Sequence, residues 1–332
     1  MAPPPKRKDI LEALEKARNS RVICYVTGDR DNQETQIGDD VLPFFAQHLG
    51  TIGKVPRLDL LIYSRGGNTL TGFALANALR EFAGEVNVLV PFRAHSCASL
   101  IALSADNIIT GPFAQLSPID PSITTPHGPT IEQGGDRRFV PVSVEDVANY
   151  FELARKEAGL KEEAHLASVF AQLSVRVSPL ALGAVYRARE QIGMLATKLL
   201  SLHMKDDERI GRIVKVLTRE LLSHDYYIGR REAKGIGLAV LDAPDDQADL
   251  MWKIYEDVAQ ELKLSEPLMW EKEVGGTQPK TIARCVLESR DLKHVFSSTY
   301  DIRRITVASG PGGGGKTETL KITPLDEAWK KV

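Results

Sequence analysis

Short apolar runs alternate with amphipathic segments over the first third of the chain. The runs contain many β-branched residues and few polar ones, which is typical of strands that are covered on both faces of a sheet. They lie at residues 21–27, 58–64 and 85–90, with helical patterns at 39–48, 69–82 and 96–105. Short strands at 107–110 and 114–119 complete this part of the chain. Strands and helices in this order, joined by short links, predict parallel strand pairing through right-handed crossovers. We therefore predict an α/β core over about residues 20–125.

The remaining residues show other patterns. Residues 126–141 are rich in glycine, proline and charge, which predicts a surface loop or flap. Residues 143–222 are almost entirely helical by the spacing of their apolar positions. A further helix is predicted at 245–262, and an antiparallel hairpin is predicted from the alternating runs at 281–289 and 293–307.

These patterns divide the chain into four predicted parts. The central part is an α/β domain at 21–242, and it contains a helical insertion at about 143–222. An N-terminal tail and helix at 1–20 precede it. A C-terminal helix and β-hairpin at 243–308 follow it, and a glycine-rich flexible tail at 309–332 ends the chain.

Composition and charge exclude several classes of partner. The 332 residues carry 42 Lys+Arg against 44 Asp+Glu, a formal net charge of −2, so we expect no nucleic-acid partner. No run approaches the roughly 18 apolar residues that span a membrane, and no apolar segment follows the basic N-terminus as in a secretory signal. The cysteines at 24, 97 and 285 are far apart and show no metal-binding pattern, which suits a reducing cytoplasm. We expect a cytoplasmic protein without a metal or other cofactor.

Two segments that follow predicted strands carry candidate chemistry. In Ser64-Arg-Gly-Gly-Asn68, two glycines let the backbone turn sharply and present N–H groups beyond the end of a strand; alternatively, they only form a turn with positive φ. In Ala94-His-Ser-Cys-Ala98, Ser96 begins a helix, and the N–H of Cys97 is free to bind an oxyanion. The alternative is that Ser96 is only the N-cap of this helix.

A third candidate segment is His224-Asp-Tyr-Tyr227. Histidine changes its charge near neutral pH and suits acid–base catalysis. A histidine next to an aspartate is also common on protein surfaces, so this segment indicates a catalytic role only in combination with the other two.

Together these segments resemble the serine dehydrogenase proteinase family, which belongs with the Clp protease proteolytic subunits, signal peptide peptidase A and the crotonases. The resemblance rests on the order strand, Gly-Gly, helix, strand, serine, helix, strand, and on four strings within about residues 20–242. The strings are Ser96-x-x-x-Leu-Ile-Ala-Leu-Ser-Ala-Asp106, Leu116-Ser-Pro-Ile-Asp-Pro121, His224-Asp-Tyr-Tyr-Ile228 and Glu232-Ala-Lys-x-x-Gly-Leu238.

The resemblance implies a ββα-superhelix of the Clp/crotonase type, here with an added helical segment and a C-terminal β-hairpin, and a serine peptidase mechanism. By position, Ser96 matches the nucleophile. Gly67 and Cys97 match the residues whose N–H groups form the oxyanion hole, with the Cys97 side chain turned into the core. Asp225 matches the acidic member of the triad.

One position departs from the family pattern, because Asp120 stands where Clp-type peptidases carry the triad histidine. An unpaired carboxylate, with a reference pKa of about 3.9, is a poor base for a serine. His224 could supply the imidazole, oriented by a carboxylate, or the site could have lost its activity. A lysine of the helical segment could also act as the base, and the candidates are Lys156, Lys161 and Lys198. His95 and His127 are less suitable, because His95 should point away from Ser96 and His127 lies in the predicted flap.

These residues are compatible with three functions. The first is an ATP-independent serine peptidase that binds a peptide or unfolded protein as an extended strand beside Gly66 and Asn68 and forms an acyl-enzyme on Ser96. The second is an inactive pseudopeptidase that binds peptides or proteins as a scaffold. The third, acyl-CoA chemistry of the crotonase type, needs no serine nucleophile and is disfavoured by Ser96. In this superfamily we also expect a homo-oligomer, with the helices at 179–222 as packing surfaces.

The string from Gly310 to Thr317 satisfies the pattern of a phosphate-binding loop, G-x-x-x-x-G-K-[ST]. Such a loop needs a strand before it and a full helix after it, and only 15 residues follow Thr317. We therefore predict a flexible linker that carries a short C-terminal segment, not a nucleotide site.

Overall fold

The computed structural model describes residues 6–120, 122–133, 136–274, 279–308 and 316–332. The helices are α1 (Arg7–Arg18), α2 (Leu42–Ile52), α3 (Thr69–Phe82), α4 (Cys97–Ala102), α5 (Val144–Lys156), α6 (Glu163–Arg176), α7 (Pro179–Leu200), α8 (Asp207–Lys215), α9 (Arg230–Ile236), α10 (Asp245–Glu261) and α11 (Trp270–Glu273). A 3-10 turn at Asp39–Val41 precedes α2, and a π-helical turn at Val216–Glu220 follows α8.

The strands are β1 (Arg21–Thr27), β2 (Val55–Tyr63), β3 (Ala83–Val90), β4 (Arg93–Ala94), β5 (Asn107–Thr110), β6 (Gln115–Leu116), β7 (Ser122–Ile123), β8 (Thr130–Gln133), β9 (Asp136–Phe139), β10 (Val142–Ser143), β11 (Ile228–Gly229), β12 (Val240–Asp242), β13 (Lys280–Ser289), β14 (Leu292–Ala308) and β15 (Lys316–Lys331). Eight of them form one mixed sheet in the order β12-β5-β3-β2-β1-β13-β14-β15. The first five are parallel, as the sequence predicted, and the last three are antiparallel. This confirms the α/β class with a C-terminal hairpin.

Alternate residues of the central strands enter two different cores, which explains why these strands read as continuous apolar runs. In β1, Ile23 and Tyr25 pack with α2, α3 and α7, whereas Val22, Cys24 and Val26 pack with α1 and α10. Helices therefore cover both faces of the parallel part of the sheet, and the carboxyl ends of its strands stay free for the loops that follow them.

The regions outside the core differ from one another in burial. The helical insertion is present as α5 to α8, and no residue of α6 is buried. In the region predicted as a loop or flap, β8 and β9 form an antiparallel pair from Thr130↔Phe139 to Gln133↔Asp136. The division of the chain into four parts stays a prediction.

The C-terminal segment differs from its prediction. Residues 309–332 were predicted as a flexible tail, but β15 (Lys316–Lys331) is a strand that pairs with β14 from Ala308↔Lys316 to His294↔Lys331. Trp329 of β15 packs on Phe44 and Phe296, which anchors the strand to the core. Residues 309–315, on which the predicted linker falls, lie outside the described residues.

Candidate active site

A second, three-stranded sheet brings two of the candidate segments, 94–98 and 224–227, together with the segment that contains Asp120. Its order is β11-β6-β4, with β4 parallel to β6 and β11 antiparallel to β6. The strand β4 leads into Ser96, β6 leads into Asp120, and β11 follows His224 and Asp225. These segments are far apart in the sequence, and the short ladders place them side by side.

Ser96 is held in an unusual backbone conformation at the start of α4, with φ of 50° and ψ of −115°. Its backbone N–H donates to Oγ of Ser117 at 2.7 Å. The buried hydroxyl of Ser99 donates to the carbonyl of Ala94 at 2.6 Å and accepts from the N–H of Ser117 at 2.9 Å. A non-glycine residue with positive φ costs free energy and persists where its surroundings impose it. Here two buried serines join β4, β6 and α4 around the turn.

The hydroxyl of Ser96 is not used to cap the helix. It makes no capping hydrogen bond to α4, and no hydrogen bond from it is recorded in the part of the chain that the structure describes. The alternative that Ser96 serves only as an N-cap therefore does not account for its geometry. A half-buried hydroxyl that projects from a strained strand-to-helix turn has the placement that a nucleophile requires.

The two glycines after β2 are needed because other chain segments approach them closely. Gly66 has φ of 120°, and a Cβ there would lie 2.8 Å from Cβ of Ser96. A Cβ on Gly67 would lie 2.4 Å from both the backbone N and O of Ile37. Ile37 donates to the carbonyl of Gly66 at 2.9 Å and accepts from the N–H of Asn68 at 2.8 Å. The glycine turn therefore lies against Ser96 on one side and is paired with Ile37 on the other.

This arrangement leaves two backbone donors beside Ser96. Over the described ranges, neither the N–H of Gly67 nor that of Cys97 takes part in a recorded hydrogen bond. A Cβ on Gly66 would lie 3.3 Å from the N of Cys97, so the two turns are in contact. Two free N–H groups next to a serine hydroxyl are the components of an oxyanion hole. Their roles stay predictions.

Asn68 has a structural role in addition to the predicted one. Its side chain caps α3 and accepts from the N–H groups of Leu70 at 2.9 Å and Thr71 at 3.1 Å. Its carbonyl accepts a hydrogen bond from Sγ of Cys97 at 3.1 Å. The backbone N–H groups of Gly66 and Asn68 also donate within the protein, to Oγ of Ser64 and to the carbonyl of Ile37, and substrate binding by these two residues stays a prediction.

The thiol of Cys97 is buried and points into the core. Burial raises the pKa of this thiol to about 12, and a Cβ on Gly72 of α3 would lie 2.4 Å from the sulfur. Because the thiolate is the reactive form of cysteine, the thiol is not suited to act as the nucleophile. The geometry agrees with the prediction that Cys97 contributes its backbone alone.

His224 is paired with Asp120. Its Nδ1 lies 3.2 Å from Oδ1 of Asp120, whose side chain is 5% exposed, while the imidazole is 41% exposed. The hydrogen bond to Asp120 raises the pKa of His224, and burial partly opposes this effect. A carboxylate on Nδ1 leaves Nε2 as the second nitrogen, the arrangement that orients a general base.

Asp225, the carboxylate predicted as the triad acid, is placed differently. Among the described residues, it has no recorded hydrogen bond to His224. The structure therefore brings His224 together with Asp120, which the sequence marked only as a departure from the family pattern. The residue that orients His224 was missed, and the signal that could have identified it was the coincidence of a displaced histidine with a displaced carboxylate.

The other candidate bases lie in unsuitable surroundings. Lys156, Lys161 and Lys198 are all exposed, and Lys156 pairs with Glu152 at 2.9 Å, whereas a lysine base acts from a desolvated position. His127 is exposed.

His95 is 6% exposed, and burial lowers its pKa to about 4. Its ring stacks on Tyr227 with centroids 5.2 Å apart and 23° between the planes. This contact links the residue before Ser96 to the segment that carries His224.

The described residues were compared with the requirements of a metal site and of a membrane-spanning helix. Within the described ranges, no group of three or more His, Cys, Asp or Glu residues could hold a metal ion. In the same ranges no single helix is long and apolar enough to cross a membrane, although the bent pair Glu163–Arg176 and Pro179–Leu200 meets the length and composition criteria together.

Comparison with known proteins supports the class that the fold and the site indicate, an α/β serine hydrolase. Residues 4–146 match the family described as "ClpP-like SDH-type serine proteinase". The match confirms the resemblance to the serine dehydrogenase proteinase family over that part of the chain, and it supports a peptidase-type function.

The chain is also similar to individual relatives and to solved structures, at low sequence identity. Two uncharacterized proteins of Methanocaldococcus jannaschii are similar to the chain. MJ0137 is 27% identical over 76% of this chain and 80% of its own length, and MJ1495 is 33% identical over 36% of this chain and 42% of its own. Among solved structures, ClpP1 from Listeria monocytogenes is 15% identical over 71% of this chain and 98% of its own, with a TM-score of 0.36. A mutant of the 1510-N membrane-bound stomatin-specific protease is 15% identical over 68% and 81%, with a TM-score of 0.37.

Proposed function

We propose that the protein is a serine peptidase that cleaves peptide bonds through an acyl-enzyme on Ser96, with His224 as the general base and Asp120 as the carboxylate that orients it. The observation that carries this proposal is the hydrogen bond between His224 and Asp120. Asp120 follows β6 and His224 precedes β11, and these two strands pair in the small sheet whose third strand, β4, leads to Ser96. The carboxylate at the position expected for the histidine thus forms one acid–base pair with the histidine beside the position expected for the acid.

The proposed reaction begins when Oγ of Ser96 attacks the substrate carbonyl while Nε2 of His224 accepts the hydroxyl proton. The resulting imidazolium is stabilised by Asp120, and the N–H groups of Gly67 and Cys97 stabilise the oxyanion. Collapse of the tetrahedral intermediate breaks the C–N bond, and the departing amine takes the proton from His224. Water, deprotonated by His224, then attacks the ester; the ester C–O bond breaks, and the proton on His224 passes to Oγ of Ser96 as the acid product leaves.

Labelling with a fluorophosphonate probe tests the nucleophile. We expect the wild-type protein to react, with the label located on the peptide that contains Ser96 by mass spectrometry. Ser96→Ala should not react, and His224→Ala should react much more slowly. Equal labelling of wild type and Ser96→Ala would refute the proposal. Thermal unfolding of each variant should show that the fold is retained.

A second candidate function is a pseudopeptidase that binds peptides without cleaving them. It is favoured by one observation: within the described part of the chain, no hydrogen bond joins the Ser96 hydroxyl to His224. Catalytic hydrogen bonds are often long before substrate binds, so we place this candidate second. Turnover of an unfolded protein such as casein, with Ser96→Ala as the control, separates the two. Hydrolysis that needs Ser96 supports the peptidase, and binding without hydrolysis supports the scaffold.

Three further parts of the proposal concern setting and assembly. Activity should not require ATP, and a cytoplasmic setting stays a prediction from the cysteine pattern.

We also propose a homo-oligomer, because α6 and α7 expose large apolar side chains that a monomer would leave in water. They include Phe170, Val175, Leu180 and Tyr186, each more than half exposed. Light scattering during size-exclusion chromatography would measure the mass, and a monomer at micromolar concentration would argue against this assembly.

A further inference from the structure

A cavity of about 650 Å³ lies between the flap, α7 and the start of α3. One wall is Thr69, two residues after Gly67 of the glycine turn. Residues 123–127, which lead from β7 into the flap, form another wall, and α7 contributes the opposite one. Binding pockets in proteins commonly have volumes of about 300–1,000 Å³, so this cavity has room for a short segment of a peptide that continues past the glycine turn.

The ionisable groups on the described cavity wall are all basic. Among the described residues that line the cavity, only Arg187 and His127 can carry a charge, and neither charge is negative. Arg187 is exposed, and no hydrogen bond or ion pair is recorded for its guanidinium within the described ranges. Nearby on α7, Glu190 faces another partner, Arg219 at 3.8 Å.

The remaining walls are weakly polar and partly apolar. Hydroxyl groups come from Thr69, Thr124 and Thr125, and an amide comes from Gln191. A carboxylate placed there would meet the five N–H donors of the Arg187 guanidinium and no repelling carboxylate. An ammonium group could donate to the hydroxyl and amide oxygens but would be repelled by Arg187 and would meet no carboxylate among the described residues of the lining.

We propose that this cavity binds the part of the substrate next to the scissile bond and that Arg187 selects an acidic side chain there. The proposal rests on the proposed function in one respect, that the ligand is a peptide. A planar guanidinium can bind a carboxylate through two parallel hydrogen bonds, which an amide of the same shape cannot match. Because Arg187 is exposed, the preference should be moderate and should weaken as salt is added.

Cleavage of matched peptides tests the selectivity. Internally quenched peptides would carry Glu, Gln, Lys or Leu in turn at each position flanking the cleavage site. We expect kcat/KM for the best Glu peptide to exceed that of its Gln counterpart about twofold to fivefold at low salt. Arg187→Gln should remove this ratio, and Arg187→Glu should reverse it in favour of Lys. Arg176→Glu, the same charge change at an exposed position on α6 outside the cavity lining, should leave the ratio unchanged.

A binding measurement keeps this inference separate from the proposed function. The same peptides, carrying a fluorophore, would be titrated with Ser96→Ala and with Ser96→Ala combined with Arg187→Glu, and anisotropy would give Kd. If catalysis fails but Ser96→Ala still binds Glu peptides several-fold more tightly than Gln peptides, the inference stands and the peptidase proposal falls. Equal Kd values for Glu and Gln peptides, or a preference that survives Arg187→Glu, would overturn the inference.

Discussion

The hydrogen bond between Asp120 and His224 allows a sharp test of the proposed site through the variant Asp120→Asn. Asp120 is 4% exposed, and its carboxylate accepts from His224 at 3.2 Å. The substitution keeps the shape of the side chain and removes its charge, so the imidazolium formed during attack by Ser96 loses its charged partner. The amide also offers N–H groups to Nδ1, which favours the wrong imidazole tautomer. We therefore expect slower acylation in a protein that still folds.

The size of the loss follows from the exposure of the pair. A hydrogen bond to a charged group contributes about 1.5–3 kcal/mol. The side chain of His224 is 41% exposed, so solvent screening favours the lower part of that range, about 2 kcal/mol. At about 1.4 kcal/mol for each factor of ten in rate, kcat/KM for a fluorogenic peptide should fall about thirtyfold.

The pH dependence of the rate distinguishes catalysis from a structural role. The hydrogen bond to Asp120 raises the pKa of His224. The base acts in its neutral form, so kcat/KM is lost as the pH falls through that pKa. Asp120→Asn should lower the pKa and move the acid limb of the profile to lower pH. If Asp120 only supported the fold, the rate would fall and the limb would stay in place.

The variant Asp225→Asn separates the two possible partners of His224. It makes the same chemical change in a neighbouring carboxylate that has no recorded hydrogen bond to His224 within the described ranges, so we expect a loss of about threefold or less. A large loss in Asp225→Asn together with near-normal rates in Asp120→Asn would refute the pairing and would support the assignment made from the sequence. Thermal unfolding of both variants controls for damage to the fold.

Three further predictions concern packing and buried groups. Gly67→Ala places a Cβ 2.4 Å from backbone atoms of Ile37, and urea unfolding should show a loss of about 2–4 kcal/mol. Gly183→Ala, in open space on α7, should cause none, and equal stabilities would contradict the steric argument. Burial lowers the pKa of His48 to about 4, so its unfolded state binds the proton more readily, and stability should fall by about 1–2 kcal/mol from pH 7 to pH 5. The variant His48→Gln should lose less over that interval, and an equal loss would refute the assignment. The Cys97 thiol, with a pKa raised to about 12, should resist iodoacetamide until the protein is unfolded, and rapid labelling of the native protein would contradict its burial.

The parallel core could be predicted because its burial leaves a local signal. Residues 21–27 were predicted as a strand, and β1 is Arg21–Thr27, since helices cover both of its faces and every interior position is apolar. The strand predicted at 114–119 is only β6 (Gln115–Leu116). Pro118, two residues after Leu116, has no N–H for a ladder, so the chain leaves the sheet early.

The C-terminal strand left a weaker signal because it is an edge strand. Many side chains of β15 are exposed, and its sequence mixes lysine, threonine and glutamate with a proline. Its pairing with β14 depends on contacts across the glycine tract, which local periodicity does not reveal. The match to a phosphate-binding loop is likewise a local pattern, and it takes no account of the pairing between β14 and β15. Lys316 pairs with Ala308 and begins a strand, whereas the lysine of a phosphate-binding loop begins a helix.

The acid–base pair could not be assigned from the sequence because its two members come from segments that lie far apart in the chain. The resemblance expected histidine in the segment after β6 and a carboxylate in the segment before β11. The structure has the carboxylate of Asp120 in the first segment and the imidazole of His224 in the second, in contact with each other. This contact reverses which segment supplies the histidine and which its carboxylate, while Asp225 still occupies the expected acidic position. It is physically possible because β6 and β11 are paired neighbours, so either segment can reach the other. Single-position matching identifies one departure, at Asp120, and keeps Asp225 as the acid, whereas the contact between Asp120 and His224 becomes visible only in the structure.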